Sequence, residues 1–550
     1  MLLILISLWF IWELKYILFW LYLWQLKEYH FGRFIDHFRT HKGKRVLFNF
    51  TQGFKLILFF LLLSPSLFFY TYYILIFVYF LQATVFLRSL FAKSIKRPVW
   101  TKKIIFLSLV SFVAGALLLL GILPAQNFFQ VSWLLTFDIL TPIIISLIVL
   151  LFQPAFVALR NKTLRQATEK MDKIRSVSGL TVIAITGSYG KTSTKEFLST
   201  ILSKKYKVLS TKDHQNSEIG IAKCILDELK PSHQIFIAEV GAYNKGKVKE
   251  VCRALKPKIG IVTGVNEQHM ALFGSMQNLL LAEGGGELAE CLSRYNRGSS
   301  TESGQKDGML IVNGDSKYCL ELLKKSNNLP ESQEKIYTTN NKAVNAAIWS
   351  DGVEVYRDYI SFLATSRKGN LAHFDVKVLG KQNVQNILGA ILVANELGMS
   401  FEEISEASKD IKQEQAGMTL RRGKHGIDVI DSSYSANPDG VVADLDYLSA
   451  FPGKKIIVMP CLIELGKKSP EIHVKLGRKI GEVCDLAIIT SKDQFEDIKK
   501  GASEIGSGNK IIFIENPNEI FSKITTFCKS GDAVLLEGRV PSSLVKFLIG

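Results

Sequence analysis

A glycine-rich run that ends in a lysine and two hydroxyl residues has the clearest chemical meaning in this sequence of 550 residues. It reads Gly187-Ser188-Tyr189-Gly190-Lys191-Thr192-Ser193. Glycines let backbone N–H groups approach phosphate oxygens, and a lysine at the end of such a loop reaches the terminal phosphates. Thr192 is placed to offer its hydroxyl to Mg²⁺. Because Ile185 occupies the first glycine position of the common G-x-x-x-x-G-K-[ST] spacing, the run is a shorter variant of a phosphate-binding loop.

The segments on either side of this run are those that a phosphate-binding loop requires. Residues 180–186 are apolar or β-branched throughout, which predicts a buried parallel strand, and residues 194–202 have a helical pattern. A helix that begins at the loop adds partial positive charge where phosphates lie. The alternative is a tight strand-to-helix turn with a solvated lysine. The sequence of strand, loop and helix favours nucleotide binding.

Two more predicted strands bring a glutamate and a histidine to the same edge of a sheet. Strands at Gln234–Glu239 and Lys258–Thr263, separated by helical stretches, predict a doubly wound α/β sheet. Such sheets bind ligands beyond the carboxyl ends of their strands. Glu239 ends the first strand, and His269 follows the second in a short loop. A glutamate at a strand end is usually solvated and a lone histidine is usually structural, but beside a nucleotide loop they predict Mg²⁺ ligands or residues that support them.

The first part of the chain has the composition of a membrane protein. Hydrophobic residues make up 48% of the sequence and are concentrated before residue 157. A bilayer core of ~30 Å needs ~20 apolar residues in a helix. Apolar runs long enough for four or five spans lie at Leu2–Trp24, Phe54–Leu87, Ile104–Leu123 and Leu134–Gln153. Glu13 and Lys15 interrupt the first run, and Ser64-Pro65-Ser66 allows the second to form either one long helix or a hairpin.

The charged residues beside these runs predict which side of the membrane the rest of the chain occupies. The net charge of +17 is also typical of nucleic-acid-binding proteins, but many lysines and arginines flank the apolar runs, which favours membrane topology signals over binding of nucleic acid. Basic stretches lie at 27–45, 88–103 and 160–173, whereas residues 124–133 carry no charge. All three basic stretches should be cytoplasmic. This requires Phe54–Leu87 to enter and leave the membrane on the same side, as a hairpin or a re-entrant pair, and it places the globular part in the cytosol at the cell membrane.

The cysteines point to a reducing compartment. All seven lie in the globular part and none forms a C-x-x-C pair: Cys224, Cys252, Cys291, Cys319, Cys461, Cys484 and Cys528. Neither a zinc site nor a disulfide framework is indicated. We predict that the thiols act as small buried hydrophobic side chains.

A second α/β pattern begins after Gly417 and predicts a smaller Rossmann-like domain. Its predicted strands are Gly426–Asp431, Lys455–Met459, Leu486–Thr490, Lys510–Phe513 and Ala533–Leu536. An amphipathic helix is predicted at Gln382–Leu397, and the polar insertion Arg294–Gly308 is given no function. We therefore predict an α/β protein with a helical transmembrane region at 1–156, a linker at 157–178, an ATP-binding domain at 179–416 and a C-terminal domain at 417–550.

These motifs together resemble the Mur ligase family over about residues 178–550. The segments that carry the resemblance are ITGSYGKTSTKE at the loop, KDHQNSEIG at 212–220, AEVGAYNKG at 238–246, NEQHMALFGS at 266–275, GKQNVQNILGA at 380–390, DSSYSANPDG at 431–440 and IELGKKSPEIH at 463–473. The resemblance implies an ATP-dependent carbon–nitrogen ligase. Such an enzyme phosphorylates a carboxylate of a cell-wall precursor and couples the acyl phosphate to an amino acid or dipeptide, as in the addition of D-alanyl-D-alanine to the peptidoglycan stem peptide.

The resemblance also implies roles for individual residues. Lys191, Glu239 and His269 correspond to catalytic residues, Lys191 and Thr192 to the groups that hold phosphates and Mg²⁺, and Glu239 and His269 to groups that serve the metal. Contacts with the nucleotide are implied for the loop residues 187–193 and for Asn313, Asn383, Asn386 and Asp431.

The sequence departs from the family pattern at several positions. Where the family carries a carbamoylated lysine that binds metal, this chain reads LLLAEGGGELAE, and Glu283 is the carboxylate that we consider as a replacement. The other departures are Met418 in place of an arginine, with Arg421 and Arg422 nearby, Ser432 in place of an aspartate, and Glu537-Gly538-Arg539 in place of K-G-S-R.

The apolar runs stand where the family has a soluble domain that binds a UDP-sugar. The leading hypothesis is therefore a membrane-anchored ligase whose partners are ATP, a UDP-muramoyl peptide or lipid-linked equivalent, an amino acid or dipeptide, and the lipid bilayer, with no nucleic acid. One alternative is a ligase for another envelope polymer, such as poly-γ-glutamate. Another is a nucleotide-binding membrane scaffold with reduced catalysis, which the missing lysine favours.

Overall fold

The computed structural model describes the whole chain except residues 48, 92–94, 123–126, 213–214, 243, 299–307, 326–332, 341–344, 435 and 550. Most of the predicted insertion Arg294–Gly308 and part of the uncharged stretch 124–133 thus lie outside the described residues. The chain forms two compact units, Met1–Arg160 and Asn161–Gly550.

The first unit is helical. Its helices are α1 (Leu2–Leu26), α2 (Phe31–His37), α3 (His41–Leu47), α4 (Phe50–Leu62), α5 (Phe68–Phe91), α6 (Lys102–Ile122) and the first part of α7 (Asn127–Ser178). Within the described residues, five helical segments are long and apolar enough to cross a membrane by length and composition. The apolar run Phe54–Leu87 is divided between α4 and α5 by a turn, so this run is not one continuous helix.

The residues predicted as a linker continue α7 into the second unit. Ala167, Met171 and Ile174 on this part of the helix are buried in the same apolar core as strand residues of the second unit. The polar residues of the segment lie between these buried positions, which is the spacing of an amphipathic helix.

The larger sheet of the second unit has nine strands in the order β2-β3-β1-β4-β5-β6-β7-β8-β9. The strands are β1 (Thr181–Thr186), β2 (Val208–Ser210), β3 (Ile235–Glu239), β4 (Ile259–Val262), β5 (Met309–Asn313), β6 (Glu334–Thr338), β7 (Ile348–Val355), β8 (Ile360–Ser366) and β9 (Leu371–Val376). The pairings from β2 to β7 are parallel, whereas β7–β8 and β8–β9 are antiparallel.

Nine helices belong to this part of the described chain. They are α8 (Lys191–Leu202), α9 (Glu218–Glu228), α10 (Lys247–Leu255), α11 (Met270–Phe273), α12 (Met276–Ala282), α13 (Gly286–Gly298), α14 (Lys317–Lys325), α15 (Gln382–Glu396) and α16 (Phe401–Ser408). Apolar side chains of the sheet, α8 and α15 share one buried core. This packing holds the start of α8 against the central strand β1.

The smaller sheet has six strands in the order β10-β11-β15-β12-β13-β14. They are β10 (Thr419–Arg422), β11 (Asp428–Ser432), β12 (Lys455–Met459), β13 (Leu486–Ile489), β14 (Ile511–Phe513) and β15 (Ala533–Glu537), with helices α17 (Pro438–Ser449), α18 (Ser469–Val483), α19 (Phe495–Ser503), α20 (Pro517–Phe527) and α21 (Ser542–Ile549). Only the β10–β11 pairing is antiparallel among these described strands. The prediction of an α/β fold with a second, smaller sheet is confirmed.

Candidate active site

The phosphate-binding loop occupies four residues between β1 and α8. Gly187 has φ +138° and Gly190 has φ +77°, a backbone region that side chains rarely adopt. A Cβ atom on Gly187 would lie 2.4 Å from Thr263 Oγ1, and one on Gly190 would lie 2.4 Å from Asn386 Oδ1. The glycines are therefore required both by backbone conformation and by close neighbours. The loop leads directly into the N-terminus of α8, as the sequence predicts.

Lys191 is the first residue of α8. Its ammonium donates a hydrogen bond to the carbonyl oxygen of Gly187 at 2.6 Å and lies 3.4 Å from that of Ser188. The side chain thus folds back over the loop that it follows. This places a positive charge at the loop without an ion pair to a neighbouring carboxylate in the described structure.

Glu239 lies beside the loop because β3 pairs with β1 in parallel and Glu239 is in register with Ile185. Its Oε2 atom accepts a hydrogen bond from the Thr192 hydroxyl at 3.0 Å, and its Oε1 atom accepts one from Asn216 Nδ2 at 3.1 Å. The Lys195 ammonium is 3.6 Å from the same carboxylate. Glu239 therefore lies at the sheet edge beside the loop, as its strand-end position predicts, and it contacts Thr192.

Glu283 and His269 form a second pair on the other side of the loop. Glu283 is 1% exposed. Its Oε2 atom accepts a hydrogen bond from the Ser188 hydroxyl at 2.8 Å, and its Oε1 atom is 2.7 Å from His269 Nδ1. Burial raises the pKa of the Glu283 carboxyl, but His269, the Lys191 charge and the Ser188 hydroxyl together outweigh burial and hold this pKa below its usual value. Glu283 is therefore an ionised carboxylate that contacts the phosphate-binding loop.

The three asparagines predicted to contact a nucleotide are buried behind the loop. Asn386 lies against Gly190 and accepts a hydrogen bond from Thr194 at 3.4 Å, while its amide donates to Asn383 Oδ1 at 3.0 Å. Asn383 donates to the Leu379 carbonyl, and Asn313 donates to the Thr263 carbonyl at 2.8 Å. Asn313 thus joins β5 to the residue after β4, Asn383 bonds to the segment before α15, and Asn386 is the one in contact with the loop backbone.

The remaining predicted residues lie around this centre or at the second sheet. Tyr189 packs against Gly264, and the Ser193 hydroxyl is 3.4 Å from the Ala416 carbonyl. Asp431 is in β11 and accepts a hydrogen bond from the Ser433 amide. Loops of the second sheet approach the larger sheet near His269, whose Nε2 atom is 3.9 Å from Glu464 Oε2.

Comparisons with known proteins match most of the second unit. A family profile described as the Mur ligase middle domain matches residues 185–394, and one described as the Mur ligase, glutamate ligase domain matches residues 418–540. A UDP-N-acetylmuramoyl-tripeptide--D-alanyl-D-alanine ligase from Synechocystis is 27% identical over 369 residues, which covers 65% of this chain and 71% of the relative. The ligase of the same name from Bacillus subtilis is 25% identical over 386 residues, which covers 68% and 76%. This chain belongs to the Mur ligase family.

Solved structures of Mur ligases show the same fold. MurF from Acinetobacter baumannii aligns with a TM-score of 0.59 at 23% identity and covers 70% of this chain and 80% of its own. The MurF ligase from Thermotoga maritima in complex with ADP aligns with a TM-score of 0.58 at 21% identity and covers 70% and 83%. As a Mur ligase, the protein is an ATP-dependent ligase that forms amide bonds.

The structure shows where the residues that depart from the family pattern lie and what they contact. Met418 is buried in the core of the second sheet, and Arg422 pairs with Asp428 at 3.0 Å, at the start of β11 rather than at its carboxyl end. Ser432 donates a hydrogen bond to Asp444. Glu537 is fully buried beside Asp444.

The predicted metal residues form two pairs in this Mur ligase. Thr192 lies with Glu239, and His269 lies with Glu283. Within the described residues, no group of three or more His, Cys, Asp or Glu side chains could hold a metal ion. This donor set still suits Mg²⁺, because that ion keeps several waters and takes one or two carboxylates together with substrate phosphates.

Sequence reasoning missed two residues that contact the predicted site. Asn216 bonds to Glu239 and lies within the KDHQNSEIG segment, so its position in a family motif was a usable signal. Lys195 is fully buried, 3.1 Å from Glu196 and 3.6 Å from Glu239. Its position one helical turn after Lys191 gave the only hint that it faces the same strand edge.

Proposed function

We propose that this Mur ligase adds an amino acid or dipeptide to the peptide carboxylate of a cell-wall precursor, as the UDP-N-acetylmuramoyl-tripeptide--D-alanyl-D-alanine ligases do. The observation that carries the proposal is a phosphate-binding loop with two acidic partners, Glu239 on one side and Glu283 on the other. The names and coverage of the matched relatives support D-alanyl-D-alanine as the incoming amine.

The reaction has two steps in which charge moves onto phosphate oxygens. The substrate carboxylate attacks the γ-phosphorus of ATP and ADP leaves, which gives an acyl phosphate. The amine then attacks the acyl carbon and loses a proton from its nitrogen, and inorganic phosphate leaves with the electron pair of the C–O bond. Such chemistry depends mainly on positioning and on stabilisation of the developing charge.

The residues of the loop supply much of that stabilisation. The loop backbone and the N-terminus of α8 offer partial positive charge to the phosphates, except for the Ser188 N–H, which donates to the Gly264 carbonyl at 2.7 Å. Lys191 exchanges its contact with the Gly187 carbonyl for phosphate oxygens when the nucleotide binds. Lys191 is therefore a catalytic residue in this proposal, because its charge stabilises the transition state more than the bound substrate.

Two carboxylates are placed to serve Mg²⁺. Thr192 and Glu239 would hold one ion against the loop, and Glu283 with His269 would support a second ion or the waters around it. When bound, Mg²⁺ supplies neutralisation of phosphate charge. Glu283 takes the place of the family's carbamoylated lysine in this proposal, because a glutamate also offers two anionic oxygens.

We also propose that the helical unit anchors the ligase in the membrane and that its catalytic part lies in the cytosol. The proposed segments are the transmembrane region 1–156, the linker 157–178, the ATP-binding domain 179–416 and the C-terminal domain 417–550. Five candidate spans and many outward-facing apolar side chains support this, for example Phe77 at 60% and Leu151 at 74% exposed. An apolar surface of this extent is typical of a lipid contact.

The proposal is tested by a turnover assay on the full-length protein in detergent. Purified protein is given ATP, Mg²⁺, UDP-N-acetylmuramoyl-tripeptide and D-alanyl-D-alanine, and ADP release and the mass of the product are measured. We expect ADP release that requires both acceptor and dipeptide. Turnover with glutamate polymers instead would assign the protein to poly-γ-glutamate chemistry, and nucleotide binding without turnover for any acceptor would support the scaffold.

A further inference from the structure

The helical unit encloses three ionisable side chains that the ligase reaction does not use. Glu13 of α1 is 3% exposed, and Lys55 of α4 and Asp138 of α7 are fully buried. At a rise of 1.5 Å per residue, each lies about 10–17 Å along its helix from the end that the charge pattern predicts to be outside. That depth is near the middle of a bilayer core of ~30 Å. The three side chains come from three different helices and lie close together.

Asp138 has its charge fully compensated. Its Oδ2 atom forms an ion pair with the Lys55 ammonium and accepts a hydrogen bond from the Tyr79 hydroxyl at 2.7 Å. Its Oδ1 atom accepts a hydrogen bond from Trp12 Nε1 at 3.2 Å. The Lys55 ammonium also lies 4.9 Å from the Trp12 ring centroid and 4.5 Å from that of Tyr79. Asp138 and Lys55 thus form a satisfied, ionised pair.

Glu13 is not compensated in this way. The Thr141 hydroxyl donates a hydrogen bond to its Oε1 atom, but its buried Oε2 atom has no hydrogen-bond partner within the described structure. Of the other titratable groups nearby, Tyr16 is neutral and the Lys15 ammonium lies 4.9 Å from the Trp12 ring on a partly exposed side chain. Two buried carboxyl groups therefore share one buried ammonium.

An ionised carboxylate without a partner is too costly for an apolar interior, so a buried carboxyl of this kind is neutralised. We propose that Glu13 is a cation-binding carboxyl in the middle of the helical unit and that its ligand is a proton. The bound proton leaves Lys55 and Asp138 as an ionised pair and makes the whole group neutral. Loss of the proton would leave one unpaired anion between α1 and α7.

The proposal is tested with dicyclohexylcarbodiimide, an apolar reagent that reacts with protonated carboxyl groups. The acid oxygen bonds to the carbodiimide carbon while the carboxyl proton moves to a nitrogen, and the adduct then rearranges to a stable N-acylurea. Membranes that contain the full-length protein are treated at about pH 7 without ATP, and the modified peptide is identified by mass spectrometry. We expect the adduct on Glu13, no adduct on Asp138, and a rate that falls as the pH is raised.

Two variants and a control sharpen the test. Glu13→Gln should lose the adduct. Asp138→Asn frees Lys55 to pair with Glu13, so the labelling of Glu13 should fall at least about tenfold although the residue is still present. Asp36→Asn changes a partly exposed carboxylate outside the cluster and should leave the rate unchanged.

Three results would overturn the proposal. The first is an unlabelled Glu13 in the wild-type protein between about pH 6 and pH 8. The second is protection by Na⁺ or K⁺ at constant pH, which would assign a metal ion to the site. The third is an unchanged labelling rate in Asp138→Asn. Because no step of the assay uses the nucleotide site, the result is independent of the ligase function.

Discussion

Nucleotide turnover should depend more on Lys191 than on any other residue of the loop. We predict that Lys191→Ala lowers the rate of ADP release by about a hundred- to a thousand-fold, since the variant loses a charge that acts mainly on the transition state. The ammonium contacts only loop carbonyls within the described structure, so the fold should survive. The rate is measured by ADP release and the fold by thermal unfolding.

Lys204→Ala is a matched control for this substitution. Lys204 lies two residues after the end of α8 and forms an exposed ion pair with Asp410, and exposed pairs of this kind contribute little to stability. Its variant should keep the wild-type rate within about twofold. A Lys191→Ala protein that is folded and releases ADP at the wild-type rate would refute the assignment of the phosphate-binding loop.

Glu283 is the residue at which this chain departs most clearly from its family. We predict that Glu283→Ala lowers turnover strongly while the affinity for ATP falls less, because the carboxylate contacts Ser188 and, in the proposed mechanism, would serve the metal rather than the nucleotide base. Added bicarbonate should not change the wild-type rate, since this position has no lysine to carbamoylate. Turnover and nucleotide affinity are measured separately, by ADP release and by titration of a fluorescent ATP analogue.

Glu283→Lys provides the complementary test. This variant restores the family's residue, so its turnover should rise when bicarbonate is added, as CO₂ converts the amine to a carbamate with release of a proton. Full activity in Glu283→Ala would show instead that Glu283 has only a structural contact with His269.

At the residue scale, the sequence predicted which side chains lie at the strand ends beside the loop, but not their individual contacts. Glu239 pairs with Thr192 because adjacent parallel strands end at one edge. The contact between Glu283 and His269 was harder to foresee, since it depends on how α12 packs and not on a strand register. The inward orientation of Asn313 and Asn383 depends on how the core behind the loop packs. The residues next to them in the sequence do not indicate this packing.

At the scale of elements, the end of β15 carries a buried carboxyl pair. Burial first, and the nearby Asp444 second, raise the pKa of Glu537 well above its usual value, and Asp444 also has a raised pKa. Asp444 accepts hydrogen bonds from Ser432 and Gln382, so the pair joins β15 to β11, α17 and α15. Glu537 is therefore protonated in the folded protein at a pH where the unfolded chain has lost that proton.

This arrangement predicts the sign of a pH effect. A raised folded-state pKa contributes stability that is fully present below the unfolded value of about 4.3 and is lost as the pH rises through the folded pKa. Glu537→Gln cannot lose a proton, so its melting temperature should fall less than that of the wild type as the pH rises. Each kcal/mol of folding stability that is lost should lower the melting temperature by roughly 2–4 °C.

The measurement is thermal unfolding of both proteins over a range of pH. Glu504→Gln is the matched control, because Glu504 is an exposed glutamate paired with Arg478 and should leave the pH profile unchanged. Parallel pH profiles for the wild type and Glu537→Gln would contradict the prediction.

The elements themselves were predictable where apolar runs were continuous. Strands β1, β3 and β4 around the loop and strands β11, β12, β13 and β15 of the second sheet were found because both of their faces are buried, which gives an unbroken run of apolar and β-branched residues. Strands β2, β6 and β10 were not predicted, and neither were strands β7, β8 and β9. The last three form an antiparallel extension whose exposed and buried residues alternate, and its position is set by the pairing of β7 with β6.

At the scale of the whole molecule, the division into an apolar helical part and an α/β part could be predicted because composition changes abruptly near residue 156. Local composition did not reveal that α7 continues into the second unit. Its last part is polar on one side and buried on the other, and an average over the segment hides this difference.

The orientation of the protein in the membrane follows from the basic stretches beside the spans. The basic stretches 27–45, 88–103 and 160–173 should stay in the cytosol, because positively charged segments beside spans are retained there. Five spans then place the N-terminus outside and Gly550 inside, with the turn between α4 and α5 and residues 124–133 also outside. Green fluorescent protein fused after Gly550 should fluoresce, and alkaline phosphatase fused after residue 126 should be active. Phosphatase fused after Arg45 is the control and should be inactive. The reverse pattern would put the phosphate-binding loop on the side without ATP and would exclude the proposed cytosolic ligase.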